Sequence, residues 1–98
     1  MSHVRLTERM LQREGVVMGP SKLADATAFF HRDREFAHFH SDEEIDIRLP
    51  HDEQQEFVTL DPVRPRPHRS PWIAVRIVTE EDVDLALRMA ERALAVLE

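Results

Sequence analysis

The feature that most restricts how this chain can fold is its last third, where an apolar run leads straight into an amphipathic one. At about 100° per residue, Val83, Ala86, Leu87, Ala90, Ala93, Leu94 and Leu97 fall in one stripe about 120° wide. Glu81, Asp84, Arg88 and Glu91 fall opposite. Such a stripe has to be buried, and burying Leu87, Leu94 and Leu97 contributes about 1.5–3 kcal/mol each. The surface to bury it against lies just upstream. Trp72-Ile73-Ala74-Val75-Arg76-Ile77-Val78 is nearly continuous in apolar residues, as expected of a strand inside a sheet and covered on both faces. Thr79, with Asp82 three residues later, forms a capping box, and Glu80, Glu81 and Asp82 place negative charge where the helix dipole favours it. The spacing therefore predicts a helix from about Glu80 to Leu97 packed on a sheet.

The rest of the chain supplies the other strands. Ile45, Ile47 and Leu49 alternate with Asp46 and Arg48, the period of a strand with one buried face, and Pro50 ends it. Thr27–His31 and Glu35–His40 read as strands joined at Arg32-Asp33-Arg34, with Phe36, His38 and His40 facing one way and Ala37 and Phe39 the other. Val16-Val17-Met18 is a short strand after a first helix over about 4–14, with Gly15 as its left-handed terminator. Residues 51–58 suggest a short acidic helix. The segment 59–71 carries Pro62, Pro65, Pro67 and Pro71 and reads as an extended loop. The expected fold is α+β, a single domain over 1–98. It has two layers, with a mostly antiparallel sheet of four to five strands and helices packed on one face.

Charge and composition exclude several functions. A net charge of −6 argues against sequence-independent binding to nucleic acid, so no nucleic-acid partner is expected. No stretch approaches the roughly 20 apolar residues that span a bilayer, and Met1-Ser2-His3-Val4-Arg5 lacks the apolar run of a signal peptide. The expectation is a cytoplasmic protein with no membrane partner. Without cysteine there is no thiolate chemistry. Only Gly15 and Gly19 are present, so no Gly-rich phosphate loop exists, and no GxSxG or HExxH pattern occurs.

Five residues stand out as site candidates. His38 and His40 share one face of a strand, where two imidazoles can converge. No defined third ligand accompanies them, so hydrogen bonding across the sheet or exposure to solvent is expected rather than a metal centre. Asp46, beside Arg48 in sequence, lies across the short turn at 41–43 and would approach one of these imidazoles, a pairing that serves acid–base chemistry or a plain ion pair. His68 sits in the proline-rich loop with Arg64, Arg66 and Arg69, a basic cluster that is either a solvated loop or an anion contact. Arg76 is the one charge in an apolar strand and needs a partner, either a carboxylate such as Asp46 or an anionic ligand. On the helix, Leu85, Met89 and Val96 lie beside the main stripe. They either widen the core contact or form a homodimer contact.

Several of these pieces occur in a recognisable order. Arg34-Glu35-Phe36-Ala37-His38-Phe39-His40, Ile45-Asp46-Ile47 with Pro50, a histidine-bearing loop, and Ser70-Pro71-Trp72-Ile73-Ala74-Val75-Arg76-Ile77 before Glu81-Asp82 resemble the small luciferase-like domain family over about Thr27 to Leu97. The resemblance implies a shared site at His38, His40, Asp46, His68 and Arg76. The chain departs from the family's pattern in the loop, where Arg69 and Pro71 replace a second histidine and a glycine. The family's name implies light-emitting oxidation, but no residue set here accounts for oxygen or luciferin chemistry, and the cofactor is left unknown. Two classes of function stay open. One is a domain that binds a small anionic ligand or a partner; the other is an oxidoreductase or His/Asp acid–base enzyme.

Overall fold

The computed structural model describes residues 1–97. Six antiparallel strands form one sheet in the order β1-β2-β3-β4-β6-β5. The chain runs α1 (Ser2–Leu11), β1 (Val16–Pro20), β2 (Thr27–His31), β3 (Arg34–Ser41), β4 (Glu44–Arg48), α2 (His51–Gln54), β5 (Val63–Pro65), β6 (Trp72–Arg76) and α3 (Glu80–Leu97). The α+β class, the antiparallel sheet and the C-terminal helix agree with the sequence. The count of four to five strands is corrected to six.

The missed strand is β5, inside the proline-rich segment. Its Val63, Arg64 and Pro65 pair with Val75, Ala74 and Ile73. Proline is tolerated because β5 is the sheet edge, where an outward N–H is not needed. The opposite edge, β1, likewise ends in proline, at Pro20. Both edges are thus blunted against pairing with another chain.

The core lies between the sheet and the two long helices. Phe29, Ala37, Ile47 and Ile73 stand opposite one another across four strands, and Phe39, Ile45, Val75 and Val63 form the next row. Over them lie Leu6 and Met10 of α1 and Val83, Ala86, Met89, Ala90 and Leu94 of α3. Ion pairs Arg5–Glu80 and Arg9–Asp84 ascend together on both helices, and Arg13, just past the end of α1, carries the series on to Glu91, so α1 and α3 run side by side in the same direction. Leu85 and Met89 are buried, so two members of the second helical strip widen the core contact; Val96 stays 43% exposed.

The helix start is built as the sequence indicates. Asp82 accepts from the Val78 and Thr79 N–H groups, and its own N–H donates to Thr79 Oγ1. At the other end, α1 stops at Leu11, three residues before Glu14, and Gly15 occupies the left-handed region at φ 82° as the chain enters β1. A Cβ there would come within 3.1 Å of His31 Nε2. The acidic helix is shorter than expected, covering 51–54 before a series of turns.

Candidate functional site

The site lies on the sheet face turned away from α1 and α3. One step along from the apolar rows, Ala28, His38, Asp46, Ala74 and Arg64 stand opposite one another across β2, β3, β4, β6 and β5. Cross-strand partners share a face, so His38 and Asp46 are brought together as the sequence suggests. His38 Nε2 lies 3.4 Å from Asp46 Oδ2.

A bulge in β3 adds a group that simple alternation hides. Ala37 opposes Phe29 while Glu35 opposes Phe30, so Phe36 is the extra residue. Phe36 turns into the core with Ala37 and not toward His38, correcting the expected facing. Glu35 and His38, three apart, therefore emerge on the same face, and Nδ1–H of His38 donates to Glu35 Oε2 at 2.9 Å. Glu35 accepts two further bonds. Ser21 Oγ donates to Oε2 and the Lys22 N–H donates to Oε1, each at 2.7 Å. The imidazole is thus held between two carboxylates, with Trp72 packed on it at 4.6 Å between ring centroids.

Asp46 is paired on its other side. Arg66 Nε and Nη2 both donate to Oδ1, at 3.1 and 2.7 Å, and Nη2 also approaches Glu44 at 3.4 Å. Partial burial opposes the Arg66 charge, but the bonds and charges of Asp46 and Glu44 outweigh it and raise the guanidinium above its ordinary value. The result is a continuous polar line from Ser21 through Glu35, His38 and Asp46 to Arg66.

The other predicted residues are placed differently. His40 is exposed at the rim, 3.8 Å from Glu44, because a second irregularity between Phe39 and Ser41 interrupts the ladder there. His68 occupies a left-handed turn with Arg69 at the tip of the β5–β6 connection. It makes no side-chain hydrogen bond or ion pair among the described residues. Arg76 bonds Asp61 at 3.0 Å and Asp82 at 3.5 Å; Asp46, the partner suggested by sequence, is taken by Arg66. Among the described residues no cluster of three or more histidine and acidic side chains is arranged to hold a metal ion.

A cleft of about 430 Å³ opens beside this line, bounded by Lys22, Leu23, Arg34, Glu35, Arg48, Trp72 and Leu97. Arg48 and Trp72 are cross-strand partners. Neither Arg34 nor Arg48 makes a side-chain hydrogen bond or ion pair among the described residues. Sequence reasoning missed Glu35, Arg34 and the cleft role of Trp72. Glu35 could have been found only by inferring the bulge. Arg66 was visible as part of the basic cluster, but its partner was not.

The luciferase domain family model matches residues 33–93, well over half of the chain. The chain belongs to the luciferase domain family. The matched stretch of this luciferase domain contains the polar line from Glu35 to Arg66 and, in the cleft, Arg34, Arg48 and Trp72; Lys22, Leu23 and Leu97 lie outside it. No curated protein and no solved structure matches the chain. Among the described residues of this luciferase domain, no helix is long and apolar enough to cross a membrane.

Proposed function

We propose that this luciferase domain is a binding module for a small anionic ligand. The ligand seats in the cleft beside Trp72, and the Glu35–His38–Asp46–Arg66 line serves as its rigid floor. One observation carries the reading: Lys22, Arg34 and Arg48 border one cleft in which, among the described residues, the only carboxylate is Glu35, and it is engaged by Ser21, Lys22 N–H and His38. Lys22 Nζ reaches the Asp33 carbonyl at 3.5 Å and lies over the Phe30 ring, whereas Arg34 and Arg48 make no such bond among the described residues. Free guanidinium groups beside a cavity of this size are what recognition of an anion requires. His38 and Asp46 take part from behind, by fixing the indole and the strand register. His40, at the rim, and His68 and Arg76, further off, are not needed for this reading.

An acid–base enzyme is the second reading, favoured by the buried Glu35–His38 hydrogen bond. Against it stands the setting of His38. Its side chain is 11% exposed and both ring nitrogens face carboxylates, so neither is presented to a substrate.

The test is a backbone amide NMR titration with benzoate and with inorganic phosphate. Saturable shifts centred on Arg34, Arg48 and Trp72 are expected for at least one of them. Shifts centred instead on Arg64–Arg69, or spread without saturation, would overturn the proposal.

A further inference from the structure

The cleft's donors and walls narrow the ligand class, an inference that rests on the anion-binding reading above. We infer that the site takes a flat aromatic carboxylate, with its carboxylate between Arg34 and Arg48 and its ring against the Trp72 indole.

The donors do not form a backbone phosphate cradle. Phosphates are usually gripped by ranks of backbone N–H groups in Gly-rich loops or at helix starts. Here Arg34, Glu35, Arg48 and Trp72 all lie in strands, in a ladder that occupies backbone groups. The Trp72 N–H is further engaged by Ser70 Oγ, and that of Lys22 by Glu35. What remains to meet an anion is side chains, and two of the three are guanidinium groups. Their planar forks match a carboxylate or a phosphate two bonds at a time, so the walls must make the choice between them.

The walls select the rest of the molecule. Trp72 packs on His38 on one side and borders the cleft as well. The imidazole behind the indole is itself fixed by Glu35, so the indole is held before any ligand arrives. Because Arg48 is the cross-strand neighbour of Trp72, an anion on Arg48 brings the atoms attached to it over the indole. Leu23, 65% exposed, and Leu97 complete an apolar wall, which a bare inorganic anion would leave unused. Among the described residues that line the cleft, three cations stand against one carboxylate, a balance of two positive charges that suits a small anion.

The chain holds one tryptophan and no tyrosine, so a single indole N–H resonance reports on the cleft. The folded protein is titrated with 2-naphthoate, 2-naphthylmethanol, octanoate and inorganic phosphate, following that resonance and the Arg34 and Arg48 side chains. Expected is saturable binding of 2-naphthoate at least about 10-fold tighter than the neutral alcohol, the ratio that one good charge-assisted contact supplies. Arg48→Gln and Arg34→Gln, both at exposed positions, are each expected to weaken it by about 10-fold while leaving the far-UV spectrum unchanged. Trp72→Leu should remove the preference for naphthoate over octanoate. Phosphate binding as tightly as naphthoate at Arg34 and Arg48, or octanoate equalling naphthoate, would overturn the aromatic carboxylate assignment and leave the anion site standing. No saturable response to any of the three anions would overturn both.

Discussion

The two faces of the sheet bury their central residues to the same degree by opposite means. On the helix side, Phe29, Ala37, Ile47 and Ile73 form a row with no exposure, roofed by α1 and α3. On the other side, Ala28 and Ala74 are as hidden, and His38 and Asp46 nearly so, yet loops and the Trp72 indole do the covering. The first face gains by removing apolar area from water, a non-directional effect that tolerates swaps of similar volume. The second gains nothing from burial alone. Every polar atom there must find a partner in the same small volume, so its stability depends on geometry. One face is a core, and the other is a pre-set array beside a cleft.

The sharpest way to break this contrast is to remove volume from one face and charge from the other. Phe29→Ala is expected to destabilise by about 3–5 kcal/mol, the range for deleting a buried aromatic ring, whereas Ile47→Val should cost only about 0.5–1.5. Urea denaturation of the two variants checks the pair. Asp46→Ala comes next, at about 1–3 kcal/mol, because it strands the Arg66 donors and removes one of the two carboxylates that face His38. A double-mutant cycle with Arg66→Ala should return a coupling of about 0.5–3 kcal/mol. Additive single effects would mean that the array is a set of independent surface contacts.

The same contrast explains what could be read from the sequence. The apolar face announces itself through period two in Ile45, Ile47 and Leu49 and the 100° stripe of α3, both local signals. That Asp46 approaches one of the His38 and His40 imidazoles is also legible, since a short turn joins the two alternating strands, but which of the two it meets is not. Glu35 was not, because the bulge at Phe36 reverses the parity on which alternation relies. Arg66 was not, because its partner Asp46 lies 20 residues away and across β6. The partners of Arg76, Asp61 and Asp82, come from a loop and a helix start that only the fold brings to it. β5 was hidden by the assumption that proline breaks a strand, which holds inside a sheet and fails at an edge.

A smaller effect tests the junction between the two faces, where β6 turns into α3. Burial opposes ionisation of Asp82, but the Val78 and Thr79 N–H groups, and then Arg76, outweigh it and hold the carboxyl below its usual range. Asp82→Ala should cost about 0.5–2 kcal/mol at neutral pH, as for loss of a helix cap. A group with a depressed folded value contributes fully above its unfolded value of about 3.9, and loses that contribution as pH falls through the folded value. The stability curves of the parent and Asp82→Ala should therefore run parallel near pH 7 and converge in acid. Curves that stay parallel through the acid limb would remove Asp82 as an ionised cap.

The smallest expected effect lies on the outside of the helix layer. Arg5–Glu80, Arg9–Asp84 and Arg13–Glu91 draw a tidy seam between α1 and α3, and by appearance they align the helices. Magnitudes argue otherwise. The side chains of Arg9 and Asp84 are 41% and 60% exposed, so water screens the pair and holding both chains in place costs entropy. Leu6 and Met10, by contrast, are buried in the same cluster as Val83 and Leu87. Arg9→Gln is expected to change stability by no more than about 0.5 kcal/mol, whereas Leu6→Ala should cost about 2–5. If Arg9→Gln cost as much as Leu6→Ala, and added salt weakened the parent to match, charge rather than apolar packing would be what seats α1 on α3. The covered face would then depend on directional contacts as much as the open one does.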